Sequence, residues 1–379
     1  MEFTDSAEQA DLRATVRAFA RRHAAPEQVR AAMAGPAGYD RPTWDRLAGE
    51  LGLTALAVPE EFGGTGAGPA EVAVAVAEFG RVLLPSPYLS SAVAGLVLAA
   101  AAAQCRDAAG RYLPGLADGS AIGALALDAD VTVGPITGEG AWLTGVARNV
   151  VDGAVAGVLL VRAGDGLFAV SSADAVVEPL GTLDQTRRQA AIRFDRAPAV
   201  PAGSAALAVA LRRVLLAAES VAAAEHCLEV TVDYLKTRKQ FGREIGSFQA
   251  LRHRAADLAV AVSSAHATAR AAVWTAASEA RAGETGAGAH DGGGGDACTL
   301  TTLAPLAALH CSATFLQVAG EMIQLHGGIG FTWEHEAHLY FKRAKSTQLL
   351  LGPASALRTE IGQQAGLIPA RHSAGGAAG

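Results

Sequence analysis

Residues 324–345, QLHGGIGFTWEHEAHLYFKRAK, constrain the fold most, because they join two helical segments through a glycine turn. The preceding residues 300–323 are apolar, rich in Ala and Leu, and have helical spacing. Gly327 and Gly328 end that helix, because glycine tolerates backbone angles that other residues cannot hold. The amides of such a turn, placed before a second and basic helix, can bind an anion. An ordinary glycine C-cap gives the same pattern.

Two motifs carry the functional signal. The first consists of Gln324, Gly327, Gly328, Gly330, Phe331 and Glu334, followed by a basic helix with Lys342, Arg343 and Lys345. The second is Tyr234-x-x-x-Arg238-x-Gln240-Phe241-Gly242-x-x-Ile245-x-x-Phe248-Gln249. In this order and at this separation the motifs resemble those of the acyl-CoA dehydrogenase family. The resemblance extends from about Phe3 to about Leu367.

The resemblance implies FAD as cofactor and α,β-dehydrogenation of an acyl thioester, with electron-transfer flavoprotein as acceptor. In that reaction a carboxylate removes the α-proton and the flavin accepts the β-hydride. In the family, the Arg of the second motif contacts the FAD pyrophosphate, and the Gln and Gly pair of the first reach the flavin of a neighbouring subunit. The cofactor-binding residues thereby implied are Arg238, Gln240, Phe241, Ile245, Gln249, Gln324, His326, Gly327 and Gly328.

The family's catalytic base is a Glu at one of two positions, and neither position holds a Glu here. Counting from the glycine turn places Leu351 at the first, and ungapped counting from the second motif places Arg212 at the other. Leu cannot accept a proton, and Arg stays protonated. Glu219 lies two helical turns from Arg212, and a register error of that size is not favoured. No catalytic residue is therefore predicted.

The central part of the chain also departs from the family pattern. The stretch around Asp128 and Asp130 is short and lacks the Gly-Ser pair that cradles the flavin. Asn149 and Val151 stand where the family has Trp and Thr. The chain has thus lost what a subunit needs for its own flavin and keeps what it lends to a neighbour. This pattern resembles the non-catalytic subunits of bacterial heteromeric acyl-CoA dehydrogenases.

We therefore predict a subunit that completes the FAD site of a Glu-bearing partner and acts with it on an acyl-CoA or another acyl thioester. Two alternatives stay open. One is a self-sufficient homo-oligomer with an unrecognised base, and the other is a redox-silent protein that binds acyl thioesters. Purification of the chain alone and with a relative would separate them.

Three other groups of polar residues allow two interpretations each. His335 and His338, with Glu334 and Glu336 beside them, lack a third metal ligand, so no metal site is predicted. His326 either lies near a ligand, as the motif favours, or caps the helix. The pair Arg212 and Arg213 is better explained as a charged helix face than as a clamp on CoA phosphates.

Three segments of different periodicity predict an α+β fold. It comprises an N-terminal helical domain (residues 1–118), a central antiparallel β domain (119–202) and a C-terminal four-helix bundle (203–367), with a disordered tail at 368–379. Two long helices are expected in residues 204–282, joined near residues 242–246. The glycine-rich residues 284–296 are interpreted as a flexible loop, and residues 180–187 as a turn.

Composition excludes several classes of function. Charged residues make up 18% of the 379 residues and the net charge is −6, so nucleic-acid binding is not indicated. The N-terminus is acidic and lacks a signal pattern, and the 4 cysteines are scattered without metal-type spacing, which predicts a reduced, cytoplasmic protein. The most apolar stretch, residues 89–103, is too short to span a membrane, so a buried helix is expected there and no span is predicted.

Overall fold

The fold is that of a computed structural model, which describes residues 5–135, 141–285 and 299–369. Most of the predicted glycine-rich loop and of the predicted tail lies outside these residues. The helices are α1 (Ala7–His23), α2 (Pro26–Ala34), α3 (Arg41–Gly49), α4 (Pro69–Arg81), α5 (Tyr88–Ala100), α6 (Arg106–Ala117), α7 (Ala205–Thr237), α8 (Gln249–Thr285), α9 (Leu300–His326), α10 (Ala337–Leu351) and α11 (Ala354–Gln364).

The strands lie between α6 and α7, apart from one short hairpin. They are β1 (Gly123–Ala126), β2 (Asp128–Val133), β3 (Ala141–Val151), β4 (Val158–Ala163), β5 (Gly166–Ser171), β6 (Ala175–Leu180) and β7 (Gln189–Ser204), and the hairpin is β8 (Lys239–Gln240) with β9 (Arg243–Glu244). Helices thus precede and follow a β region, as the change of periodicity predicts. The exact domain limits stay predictions.

The central sheet has the order β1-β4-β5-β7-β3-β2, and β6 also pairs with β7. Its pairs are antiparallel, as predicted, except for β1 and β4, which run parallel. The exception arises because the hairpin of β2 and β3 intervenes, so the chain enters β4 in the direction in which it entered β1. Among the described residues between β1 and β4 the connection consists of strands and turns, without a crossover helix, so the pair is not a βαβ unit. Alternating buried residues of β7, such as Ile192 and Phe194, form the core of the sheet.

Two of the N-terminal helices, α1 and α3, begin at side-chain caps, and a buried aromatic residue of α3 joins it to the sheet region. The Ser6 hydroxyl accepts the Gln9 amide of α1, and the Asp40 carboxylate accepts the Thr43 amide of α3. Trp44 is 2% exposed, and its indole Nε1 donates to the Gly119 carbonyl oxygen at 2.9 Å. This bond fixes α3 against the turn that leads from α6 into the sheet.

The long helices α7 and α8 confirm the predicted helical pair, and the chain between them contains the β8–β9 hairpin. Helix α7 packs against α8, α9 and α10 of the bundle and also against α4 and α5. One apolar core includes residues from the N-terminal helices, the bundle and one face of the sheet. Helix α7 therefore passes through the middle of the molecule, and its two ends reach different surfaces.

One helical segment of the described chain, Leu300–Phe331, is long and apolar enough to cross a membrane. Residues 89–103 were expected to be the nearest candidate, so this expectation was wrong, because α9 has a longer apolar run. Within the fold, 61% of its most apolar window is buried, and α9 packs on α7, α8, α10 and α11. A buried core helix of a soluble protein can have the same length and apolar composition. Helix α5, in the 89–103 region, is buried as predicted.

Candidate functional site: a glycine-turn face and a basic cavity

The two sequence motifs meet at one end of the helical bundle. Tyr234 in the last turn of α7 stacks on His326, the last residue of α9, with ring centroids 4.4 Å apart. The Tyr234 hydroxyl also donates to the His326 carbonyl oxygen at 3.4 Å. The hairpin after α7 and the glycine turn after α9 are therefore held next to each other.

The β8–β9 hairpin holds an exposed aromatic side chain in an unfavourable backbone conformation. Its two turn residues, Phe241 and Gly242, have φ values of 53° and 77°. This combination is typical of a type I′ turn, in which Asn-Gly is preferred over a bulky first residue. A non-glycine residue in this region costs roughly 1–2 kcal/mol. Phe241 is nevertheless 92% exposed and meets only the edge of Phe248, with ring centroids 6.2 Å apart, so little burial offsets this cost within the described chain.

The glycine turn leaves open space in front of its backbone. Gly327 has φ 64°, which other residues rarely adopt. A Cβ atom added to Gly327 or Gly328 would meet no atom within 4 Å, so another molecule can approach the backbone closely here. Exposed side chains flank the turn and the hairpin, and they include Arg238, Gln240, Gln249 and Gln324. Among the described residues, no side-chain partner of Arg238, Gln249 or Gln324 is observed.

Two of the predicted cofactor-binding residues point inward instead. Ile245 is 9% exposed and His326 is 4% exposed. The His326 Nδ1 lies 2.7 Å from the Met322 carbonyl oxygen, and the ring packs between Tyr234 and His335. Burial lowers the pKa of His326, although the Met322 carbonyl opposes the shift. In this structure His326 lies directly before the glycine turn, and Ile245 is buried after the hairpin in a segment that packs on α7 and α8. Contact of His326 with a ligand stays a prediction.

A cavity of ≈ 710 Å³ lies at the other end of α7, against the sheet. It brings together four of the positions that sequence counting singled out: Arg212, Leu351, Asp128 and Asn149. Val151 lines a smaller cavity of ≈ 20 Å³ next to it, together with Arg212 and Leu350. The positions found by counting from the two motifs therefore lie close together, at these two neighbouring cavities.

Both described acidic residues of this cavity have a polar partner in the structure. Of its two described acidic residues, Asp128 accepts the Asn149 amide at 3.1 Å and Asp184 is paired with Arg343 at 2.8 Å. Arg212 donates from Nη2 to the Leu350 carbonyl oxygen at 3.3 Å. Arg213 is paired with Glu360 at 2.7 Å, which agrees with a charged helix face for Arg213.

A buried ionic cluster beside the cavity was not predicted from the sequence. Arg343 is 2% exposed and donates to Asp184 at 2.8 Å, to Glu219 at 2.9 Å and to the Thr186 hydroxyl at 2.6 Å. Arg187 donates to both Glu219 oxygens at 2.6 Å. Burial opposes the charge of Arg343, but Asp184 and Glu219 raise its pKa. Residues 180–187, interpreted above as a plain turn, therefore anchor the sheet to α7 and α10.

Glu219 is thus committed to two arginines and does not line the larger cavity. Helix α4 crosses α7 closely at this point. A Cβ atom added to Gly80 would lie only 2.8 Å from the Glu219 carbonyl oxygen, so only glycine fits there. The close crossing keeps Glu219 inside the cluster. The only signal in the sequence is an acidic residue in the apolar part of a helix, and such a residue needs a buried partner.

The glycine-turn face and the cavity are too far apart to serve one flavin in one subunit. Arg212 and Tyr234 are 22 positions apart on α7. At 1.5 Å per residue this separation corresponds to about 33 Å along the helix axis. The face that carries the family motifs therefore points away from the cavity of its own chain.

Comparison with known proteins decides the family. Residues 6–120 match the family model "Acyl-CoA dehydrogenase, N-terminal domain", and residues 203–366 match "Acyl-CoA dehydrogenase, C-terminal domain". The chain is 42% identical to acyl-CoA dehydrogenase IpdE2 of Mycobacterium tuberculosis over 94% of this chain and 96% of that protein. The chain belongs to the acyl-CoA dehydrogenase family.

Two solved structures of the family are similar throughout. A chain of the ChsE4-ChsE5 complex from Mycobacterium tuberculosis superposes with a TM-score of 0.84 at 28% identity, covering 98% of this chain and 100% of that chain. The Tcur3481-Tcur3483 steroid ACAD gives a TM-score of 0.81 at 31% identity, with 95% and 98% covered. The predicted family and fold are confirmed, and so are the flavoprotein class with FAD as cofactor and the oxidoreductase activity on CH–CH bonds.

Within this acyl-CoA dehydrogenase, the two ends of α7 differ in their fit to FAD. At the glycine-turn face, an exposed guanidinium without a partner, two free amide side chains and an open glycine backbone suit the phosphates and polar edges of the cofactor. Arg238, Gln249, Gln324, Gly327 and Gly328 would hold it there. Among the described residues of the cavity, no aromatic side chain lines the wall, and three arginines do, Arg162, Arg212 and Arg213. The residues present there do not fit an isoalloxazine ring.

The histidines near the glycine turn have local roles. The His335 Nδ1 accepts the Ala337 amide at 3.1 Å and so caps α10, and His338 packs edge-on against Trp333. His226 pairs with Glu336 at 3.3 Å. In the part of the chain that the structure describes, no group of three or more His, Cys, Asp or Glu side chains is arranged to hold a metal ion.

Proposed function

We propose that this chain completes the FAD site of a Glu-bearing acyl-CoA dehydrogenase subunit and does not carry the catalytic base itself. The observation that supports the proposal is the division of α7. Its C-terminal end presents the family's cofactor-contacting residues on an exposed face, and its other end, about 33 Å away, has a cavity with Arg212 and Leu351 at the base positions. General base catalysis typically increases the rate of a reaction by about 10²–10⁴-fold, so the complex needs a base from the partner.

In the proposed complex this chain positions the cofactor. FAD, when bound, accepts the hydride from the acyl thioester. Arg238 would give a charge-assisted contact to its phosphates, and Gly327 and Gly328 leave space for the cofactor next to the backbone. Phe241, which the strained hairpin turn holds outward, would supply an aromatic contact. The proton is removed by the partner's Glu, and electron-transfer flavoprotein reoxidises the complex.

The proposal of a heteromeric complex also agrees with the exposed aromatic surface. Phe331 is 75% exposed and Trp333 is 60% exposed, both just after the glycine turn. Apolar side chains clustered on a surface mark interaction sites. The ChsE4-ChsE5 structure, to which this chain is similar, is described as a complex of two different proteins. Acyl-CoA as substrate and the cytoplasm as compartment belong to this proposal.

Purification of the full chain alone and with a co-expressed, Glu-bearing homologue tests the proposal. The flavin absorbance, the mass of the assembly and acyl-CoA-dependent reduction of an electron acceptor are measured for both samples. We expect a colourless, inactive chain alone and a yellow, active hetero-oligomer. Replacement of the partner's Glu by Gln should remove activity and leave the flavin in place.

Two results would contradict the proposal. A yellow chain that turns over acyl-CoA alone would show a self-sufficient homo-oligomer with another base. A chain that forms no flavin-containing complex with any Glu-bearing homologue, but binds acyl-CoA, would show a redox-silent thioester-binding protein.

A further inference from the structure

We propose that the cavity at the sheet end of α7 binds an organic oxyanion, a carboxylate or phosphate group on an apolar body, and that Arg212 holds the charged group. The site is separate from the glycine-turn face by about 33 Å along α7. It does not depend on whether this chain completes a partner's flavin site.

Arg212 is partly buried and differs from its arginine neighbours on α7 and in the ionic cluster in lacking a counter-ion among the described residues. Arg187 and Arg343 are paired with Glu219, and Arg213 is paired with Glu360. The Arg212 guanidinium makes one bond, from Nη2 to the Leu350 carbonyl oxygen at 3.3 Å. Its Nε is buried and has no partner. Because an unpaired buried charge is costly, this arginine is best satisfied by an anion that enters the cavity.

The surroundings keep Arg212 charged, and no carboxylate of the described residues forms an ion pair with it. Burial and then the neighbouring Arg213 lower its pKa to about 10, so it remains a cation at neutral pH. Asp128 is the carboxylate that acts on it, and that group accepts the Asn149 amide. Arg162 and Lys345 also line the cavity. The described lining therefore has an excess of positive charge.

The shape and lining define the class of ligand. A volume of ≈ 710 Å³ exceeds the need of a bare inorganic ion and lies in the range of about 300–1,000 Å³ that organic ligands occupy. Apolar side chains form much of the wall, and they are Leu125, Leu127, Leu183, Val209, Leu349, Leu350 and Leu351. A planar guanidinium binds carboxylate or phosphate through two bonds. These features fit an amphipathic acid.

Binding measurements with defined probes test the site on the full chain. Octanoate supplies the carboxylate, octyl phosphate supplies the phosphate, octanol has the apolar body alone, and inorganic phosphate has the charge alone. Each is titrated calorimetrically against the wild type, Arg212→Leu, Arg212→Lys and Arg106→Gln. Arg106 is 74% exposed and lies on α6, so its replacement controls for net charge.

We expect octanoate or octyl phosphate to bind the wild type and Arg106→Gln equally, and to bind Arg212→Leu at least about tenfold more weakly. Arg212→Lys should bind the probe with intermediate affinity, because lysine keeps the positive charge but cannot form two parallel hydrogen bonds to the oxyanion. The stronger of the two probes identifies the oxyanion. The proposal is overturned if neither probe binds the wild type, if octanol binds as tightly, or if Arg212→Leu binds unchanged.

A second measurement covers the case in which Arg212→Leu does not fold. Leu349 lines the cavity and is 70% exposed, so Leu349→Trp places a fluorescent reporter there with Arg212 intact. Octanoate or octyl phosphate should change the fluorescence at lower concentration than octanol does. Equal responses to the charged and uncharged probes would overturn the proposal.

Discussion

Tyr234 stacks on His326 with an angle of 25° between their ring planes, although 92 positions separate them in the chain. Each residue lies in the last turn of a long helix and belongs to one of the two family motifs. The stack therefore fixes the hairpin and the glycine turn relative to each other before any ligand or partner is present. This arrangement makes the cofactor face a preformed surface.

Arg238→Ala should weaken FAD retention in the assembled complex. A charge-assisted contact contributes about 1.5–3 kcal/mol, so the dissociation constant for FAD should rise about 10- to 100-fold. Fluorescence of released flavin after gel filtration measures the loss. Lys236→Ala is the control, because Lys236 is exposed in the same region and faces Asp233 at 3.9 Å. Equal flavin retention in the two variants would remove Arg238 from the site.

Leu351→Glu should not give the isolated chain dehydrogenase activity. Leu351 is 7% exposed and packs with Leu216, Ala308 and Leu357, so a carboxylate there would have a raised pKa and be a poor base at neutral pH. The flavin wall is also absent at Asn149. The check is an electron-acceptor assay with saturating FAD and several acyl-CoA lengths. Robust turnover would show that this cavity can hold a flavin.

Arg343→Met should strongly destabilise the fold. The change leaves Asp184 and part of Glu219 buried without their cation, which typically costs about 3–5 kcal/mol. Chemical denaturation of the full chain measures the free energy of unfolding. Arg41→Met is the control, because its ion pair with Asp45 is exposed and such pairs contribute about 0.3–0.5 kcal/mol. Similar losses in both variants would mean that the cluster does not stabilise the fold.

Asp152→Asn should stabilise the protein at neutral pH. Burial raises the Asp152 pKa to about 6, although the Ser90 hydroxyl, which donates at 2.5 Å, together with Arg187 and Arg343, opposes the shift. Because the folded pKa lies above the unfolded value, the contribution of Asp152 to stability is complete below pH about 4 and is lost as the pH rises through about 6. Asn mimics the protonated form and tolerates the φ of 57° at this position.

Unfolding of Asp152→Asn is compared with wild type at acid and neutral pH. We expect a gain of about 2 kcal/mol at neutral pH, after allowance for solvent screening, and no gain near pH 4. Asp174→Asn, at an exposed position, should show neither effect. A gain of the same size at both pH values would contradict the assigned titration.

The sequence predicts the long elements and the motif positions well, because both depend on local patterns. Helices α7 and α8 have apolar spacing over many turns, and Gly327 has a backbone conformation that glycine favours. The parallel pairing of β1 with β4 is not local, because it depends on where an intervening hairpin sends the chain. No sequence pattern within β1 or β4 indicates that the two strands pair in parallel.

The site shows the same limit. Counting from the motifs selected Arg212 and Leu351, and the structure brings both to one cavity, while their place at the family's base positions stays a prediction. The cluster of Asp184, Glu219 and Arg343 was not found, because it joins three elements that lie far apart in sequence. Arg343 is one of three basic residues on α10, and only packing shows that it is buried.

The exposed aromatic side chains at the glycine-turn end have a consequence for how the protein is made. Phe241, Phe331 and Trp333 are 92%, 75% and 60% exposed in the described part of the chain. Uncovered aromatic surface favours aggregation, and the risk grows with the concentration of free chain. A cell that synthesises this chain in excess of the molecule that covers this surface would accumulate free chain that is prone to aggregation. Matched synthesis of the two would keep that population small.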